Sequence, residues 1–338
     1  MTATSVFAPV FLSRLAPVFG RYVDLKRALG RRFDLPSRTL QSLDRFLHHQ
    51  STKYPDLDAA AFQAWCHTHE HVASGVRRAP MLEVCSFCLY RRRTEPQCFV
   101  PDPRSFPPYH QRLKPYIFSP AEVGRLLSEA SHLKRNPASP LRPEVTRLAI
   151  VLLFTTGIRR GELLNLTVGD YNHQESTLRI RETKFFKSRL LPINRDIADE
   201  IERYLHVRTR RRLLTSADTP LIWNAIKGGR AYTGTGLHYC VLPLFKKCGI
   251  TTRKGKPPRI HDLRHSFAVN ALLRWYRAGA DVEAKLPWLA TYLGHGSALS
   301  THYYLHFIEP LRTAANERFA NHYGELVSPL PPSARRHA

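Results

Sequence analysis

The chain has 338 residues, 43% of them hydrophobic, and 51 Lys and Arg against 27 Asp and Glu give it a formal net charge of +24 and a pI near 10.2. No apolar run approaches the roughly 20 residues of a membrane helix, and Pro9 and Pro17 interrupt an apolar N-terminus that lacks a small-residue cleavage site. Membrane-spanning and secreted readings are thereby disfavoured, and a soluble, cytoplasmic protein with a polyanionic partner is expected.

The length predicts two domains. Both ends are basic: residues 1–117 carry 17 basic and 9 acidic side chains, and residues 118–338 carry 34 and 18. Such a spread fits a protein that surrounds nucleic acid rather than one with a single basic tail. A ribosomal or chromatin protein would share the charge, but here it is interspersed with periodic apolar residues.

Residues 6–95 read as four short amphipathic helices. The first has apolar residues from Leu15 to Leu29 and stops at Gly30; the second presents Leu40, Leu43, Phe46 and Leu47. The third runs from Asp58 to Val72 and the fourth from Pro80 to Arg93, with Pro80 suited to a first turn. Cys85 and Cys88 form a CxxC near Cys66, His67, His69 and His71. Without a second pair at ligand spacing they read as small hydrophobes one helical turn apart, and no metal is expected.

Six prolines between 96 and 115 predict an extended linker over 96–117, whose Arg104, Arg112 and Lys114 are candidates to lie along a phosphate backbone. The next domain, 118–325, opens with SPAE, a capping box with Pro120 at the first helical position. The apolar run Val145 to Thr155 predicts a buried helix ending at Gly157, and Arg159 to Leu166 resumes in helical register with Glu162 on the face of Arg159. Thr177 to Thr183 and Ser188 to Ile193 read as a hairpin with Lys184 to Lys187 at its turn. Helix is expected again over 196–214. A basic loop at 252–259 carries Arg253, Lys254 and Lys256 ahead of HDLRH, and helices separated near Gly279 and Pro287 follow. A C-terminal helix is predicted over 309–327, and the 326–338 tail reads as disordered.

Four segments supply polar groups of one kind: TTGIRRGELLNL at 155–166, RETKFFKSRLLPI at 181–193, HDLRHSF at 261–267 and LGHGSALSTHYYLHF at 293–307. A phosphodiester resists attack because its oxygens are negative and the leaving alkoxide is poor, so catalysis by side chains needs cations, a nucleophile and a proton donor. Arg159 and Arg264 are suited to clamp the non-bridging oxygens, Lys184 to protonate the leaving oxygen, and His261 and His295 to donate to the phosphate or shuttle a proton. Tyr304 would be the nucleophile.

These segments resemble the tyrosine recombinase or phage integrase family, whose motifs are a G-x-R-x-x-E box, a hairpin lysine, H-x-x-R-H, and L-G-H followed nine residues later by Tyr. On the matching positions the catalytic roles fall to Arg159, Lys184, His261, Arg264, His295 and Tyr304, with Glu162 in support. The spacing from His295 favours Tyr304 over Tyr303, and the hairpin pattern favours Lys184 over Lys187, which is left as a DNA contact. His265 and His302 read as structural and Asp170 as a turn residue. The likeness spans about 119–320; the N-terminal helices match the family only in size and position. One departure is the 31 residues from Arg264 to His295, longer than the family's usual interval, with the excess around Trp275 to Trp288.

The resemblance implies a mainly α fold with a small β-sheet. A helical core-binding (SAM-like) domain and an α+β catalytic domain would form a clamp around double-stranded DNA. It implies cleavage of one strand at a time through a 3′-phosphotyrosyl bond, with no metal, ATP or other cofactor. Strand exchange would proceed through a Holliday junction within a tetramer on two DNA sites, in the nucleoid of a prokaryote, with accessory recombinases as further partners. The rivals are a type IB topoisomerase, which usually carries Lys where His261 stands, a non-catalytic DNA-binding protein, and a zinc-dependent binding module.

Overall fold

Four helices, α1 (Ala16–Ala28), α2 (Asp34–His49), α3 (Ala59–His67) and α4 (Ser74–Arg91), build the first of two units, Met1–Leu113 and Lys114–Ala338. The coordinates are a computed structural model in which residues 9–31, 33–108, 114–181, 188–294 and the positions 301, 304, 313, 316 and 317 are described. In α2, Leu40, Leu43 and Leu47 recur at helical spacing and are buried, so one stripe of the helix enters the core. Asp44, buried beside them, accepts the Leu12 and Ser13 amides at 2.7 and 2.9 Å and fixes the approach to α1.

Pro80 does not open its helix. It lies inside α4, which begins at Ser74. The ring deletes the donor that would serve the Val76 carbonyl, but Val76 is exposed, so water can take that role and the helix continues. Cys85 and Cys88 are buried in the same core, and burial pushes the Cys88 thiol up to about 12. The proline-rich stretch expected to be a spacer packs in part on this unit: Phe99, Val100 and Phe106 join its core, and Arg78 donates to the Phe106 and Pro107 carbonyls at 3.1 and 2.9 Å. Periodic prolines conceal such anchoring, because the aromatic between them supplies the burial.

In the second unit, Ser119 and Glu122 make the expected reciprocal cap on α5 (Pro120–Ser131). Helix α6 (Arg142–Thr156) has Leu148, Ala149, Ile150, Leu152 and Leu153 all buried, the pattern of a helix covered all round. Around it pack α5, α7 (Arg160–Asn165), α8 (Arg195–Arg210), α9 (Gly234–Lys247) and α10 (His261–Arg277). Strands β1 (Tyr171–Asn172), β2 (Thr177–Ile180) and β3 (Arg189–Pro192) form an antiparallel sheet in that order, with Ile180 opposite Arg189. Strands β4 (Trp223–Asn224) and β5 (Arg230–Ala231) form a second small sheet.

Helix α11 (Val282–Leu293) packs on α10 over a separate cluster of Ala268, Val269, Leu272, Leu286, Leu289 and Leu293. Pro287, expected to divide two helices, lies within α11. The carbonyl it leaves without a donor belongs to exposed Glu283, as for Pro80. Of the predicted C-terminal helix only Thr313, Asn316 and Glu317 are described, each helical and exposed; the 326–338 tail lies outside the described residues. Among the described residues no helix is long and apolar enough to cross a membrane.

Candidate active site

Three turns bring the predicted residues together. Helix α6 ends on Gly157 at φ 62, where a Cβ would stand 2.4 Å from Phe267 and 2.9 Å from Leu293, so glycine serves both the left-handed cap and the close packing. Two residues on, Arg159 is extended at the start of α7, and the Glu162 carboxylate reaches back to its amide at 2.9 Å. The same carboxylate takes Arg159 Nη1 at 2.7 Å and Arg189 Nη1 and Nη2 at 3.2 and 2.8 Å. Burial alone would raise the Glu162 carboxyl, but hydrogen bonds from Arg189 and Arg159 hold it below the usual range.

The last turn of α11 completes the cluster. Three consecutive carbonyls accept from three arginines: Tyr292 from Arg189 Nε at 3.0 Å, Leu293 from Arg264 Nη2 at 2.9 Å, and Gly294 from Arg159 Nη2 at 2.5 Å. The carbonyls at a helix C-terminus lack intrahelical partners and carry the negative end of the macrodipole, so cations settle there. Arg264 also donates to the Gly157 carbonyl at 2.6 Å and is only 1% exposed. Burial, with Arg159 beside it, lowers it to about 10, still charged at neutral pH. Three guanidiniums thus converge around one carboxylate, leaving an excess of positive charge suited to an anion.

His261, Arg264 and His265 share the first turns of α10. The two imidazoles meet edge to face at 4.7 Å. His261 opens to solvent on one side, while packing on the other, with Arg264 and Arg259 nearby, disfavours its charged form. Nδ1 of His265 lies 2.9 Å from the Tyr304 hydroxyl. Burial, then His261, lowers His265 to about 4. Tyr304 is 2% exposed, and its ring belongs to the apolar cluster built by Ala268, Val269 and Leu272 of the same helix α10.

Arg159, Glu162, His261, Arg264 and Tyr304 therefore come together. His295, Lys184, Lys187 and Arg112 lie outside the described residues. Arg104, Lys114, Arg253, Lys254 and Lys256 are exposed; the last three sit on a loop closed by Thr252 N donating to the Lys256 carbonyl at 2.8 Å. Asp170 is the turn residue expected, accepting from Thr167. His265, read as structural, touches the phenol instead. Arg189 was not singled out at all. Both left a signal: His265 falls four residues after His261, on one helix face, and Arg189 shares a strand face with buried Leu191, an inward position unusual for a charge.

Two outcomes follow from this geometry. In Gly294→Ala the new Cβ would stand 2.7 Å from Arg189 Nη1 at a φ of +67, and a loss of roughly 1–2 kcal/mol is expected in urea unfolding. Glu162→Gln leaves Arg159 and Arg189 facing each other without a counter-charge, and about 3 kcal/mol should be lost. Because the folded carboxyl is depressed, that deficit should be constant above roughly pH 4.3 and shrink as acid protonates the wild-type carboxylate. A deficit that grows in acid would contradict the assignment.

The mainly helical second unit with its small sheets has the fold of tyrosine recombinase catalytic domains. The model of the phage integrase family matches residues 118–309, and the chain belongs to that family. It is 32% identical over 286 residues to y4rB of Sinorhizobium fredii, named as an integrase/recombinase, covering 84% of this chain and 90% of the relative. It is 30% identical over 183 residues to the tyrosine recombinase XerA of Pyrococcus horikoshii, covering 54% of each chain. In fold it is similar to the integrase of the transposon Tn1549 solved in complex with transposon right-end DNA, with a TM-score of 0.61 at 18% identity over 90% of this chain and 99% of that one.

Proposed function

We propose that this chain is a site-specific DNA recombinase that cuts and rejoins strands through a phosphotyrosyl intermediate on Tyr304. The observation that carries the reading is the convergence of Arg159 and Arg264 on adjacent carbonyls of one turn, with the Tyr304 phenol held 2.9 Å from His265, the residue that follows Arg264 in α10. In this scheme the two guanidiniums, each with five N–H donors, take the non-bridging oxygens of a phosphodiester, and His261 and His295 donate to the same oxygens. The phenol oxygen bonds to phosphorus as the bond to the 5′ oxygen breaks. The phenol's proton passes to an imidazole of the site, His261 or His295, and Lys184 delivers one to the departing 5′ oxygen. The 3′-phosphotyrosyl ester conserves the energy of the broken bond, so a second strand's 5′-hydroxyl reverses the step on a new partner.

The basic residues Arg104, Arg112, Lys114, Lys187, Arg253, Lys254 and Lys256 would hold the backbone without reading its sequence. Unit 6–95 would serve as the core-binding domain, and a tetramer on two duplexes would bring the exchanging strands together. The test is incubation with nicked candidate-site DNA, whose cleaved fragment diffuses away and traps the ester. A denaturation-resistant adduct mapped by peptide sequencing to Tyr304 is the expected result. An adduct on any other residue, or none on sites that the protein binds, would refute the reading. Exchange between two duplexes, as opposed to relaxation of one supercoiled circle, separates a recombinase from a topoisomerase.

A further inference from the structure

We propose that His265 is a positioning residue for the reaction, holding the Tyr304 hydroxyl by accepting its hydrogen at Nδ1. The inference rests on Tyr304 being the nucleophile. Its geometric basis is the 2.9 Å contact between Nδ1 and the hydroxyl, with the two rings 5.6 Å apart and inclined at 60°. Helix α10 builds the seat: Arg264 turns to the carbonyl ends of α6 and α11, His265 turns to the phenol, and Ala268 and Val269, one turn further on, belong to the apolar cluster that contains the Tyr304 ring. A hydroxyl enclosed to this degree needs a partner.

The surroundings decide which way the hydrogen points. His261, Arg259 and Arg264 all disfavour a charged imidazole, as does burial, and only Asp262 opposes them. The ring is therefore neutral at physiological pH, and if Nε2 carries its hydrogen, Nδ1 is an acceptor and the phenol the donor. The oxygen's lone pairs then point away from His265. An imidazole lowered to about 4 is too weak to remove the proton from an ordinary phenol, by a factor of roughly 10⁶. Its role is accordingly to hold the hydroxyl, while the proton leaves to another acceptor as the phosphate is attacked.

That distinction sets the test. Asn carries an acceptor near the Nδ1 position but cannot take a proton; Gln carries one near Nε2; Leu has none. Cleavage of nicked DNA by His265→Asn should stay within about threefold of wild type, while His265→Gln and His265→Leu should fall by about 10²-fold in the single-turnover rate, with DNA binding and thermal unfolding close to wild type. A role in filling space would rank Gln and Leu with Asn, and a role in proton removal would rank Asn with Leu; either ranking overturns the proposal. A readout independent of cleavage is the ¹⁵N resonance of His265 Nδ1 in the free protein, which should move in Tyr304→Phe. No movement overturns the hydrogen bond itself. Movement without any wild-type adduct would instead indict the recombinase reading and leave the contact standing.

Discussion

Tyr304→Phe should form no covalent adduct with nicked DNA while binding it as tightly as wild type, a fall in strand cleavage below the detection limit and at least about 10⁴-fold. The size follows from the scheme: no other group supplies the oxygen that becomes esterified, so the loss is of the nucleophile and not of one stabilising contact. The fold should tolerate the change. Phe fills the same space in the cluster of Ala268, Leu272 and Leu289, and the missing hydroxyl removes one hydrogen bond to His265, worth about 1 kcal/mol. Denaturing gels read the adduct and urea titration reads the stability. An adduct persisting in this variant would move the nucleophile elsewhere, with Tyr303 next in line.

Arg264→Met should separate activity from stability in the same way. The wild-type guanidinium is buried and hydrogen-bonded to main-chain carbonyls, so the fold already bears the cost of a desolvated cation. Replacing such a charge by an apolar chain of similar length recovers its desolvation penalty, on the order of several kcal/mol per ion, set against two carbonyls left unpaired at about 1–3 kcal/mol each. These oppose each other, and the unfolding free energy should stay within about 2 kcal/mol of wild type. Cleavage should fall by roughly 10³-fold, the scale for losing a donor aimed at developing charge. A variant that unfolds outright would show the arginine to be chiefly architectural, and one that cleaves within tenfold of wild type would remove Arg264 from the phosphate.

Much of the site was legible because its members lie on local signals. The capping box at Ser119, Gly157 closing α6, and Glu162 one turn from Arg159 are short-range patterns, and the structure repeats each of them. Arg189 escaped because its partners are a carboxylate 27 residues away and a carbonyl 103 residues away. The role of His265 escaped for the same reason, its contact being 39 residues distant. Helix α9 was missed because Gly234, Gly236 and Pro243 dilute its signal, although Leu237, Cys240, Val241 and Leu244 form its buried stripe. Pro80 and Pro287 point in the opposite direction: each resembles a boundary, yet the carbonyl each deprives belongs to an exposed residue, Val76 or Glu283. The long interval after Arg264 also finds an account. It is filled by the remainder of α10 and by α11, with the site at the start of the one and the end of the other.

Main-chain oxygens hold the three arginines at the end of α11, and an oxygen of that kind has no side-chain identity. Relatives can therefore exchange the residues at 292 and 293 without releasing the cations, and covariation between those columns and the arginine columns should be faint even though the atoms touch. Register is another matter. One residue inserted within α11 would rotate its terminal carbonyls by about 100° and turn all three anchors away together, so the exposed positions of this helix should vary freely while its length resists insertions and deletions.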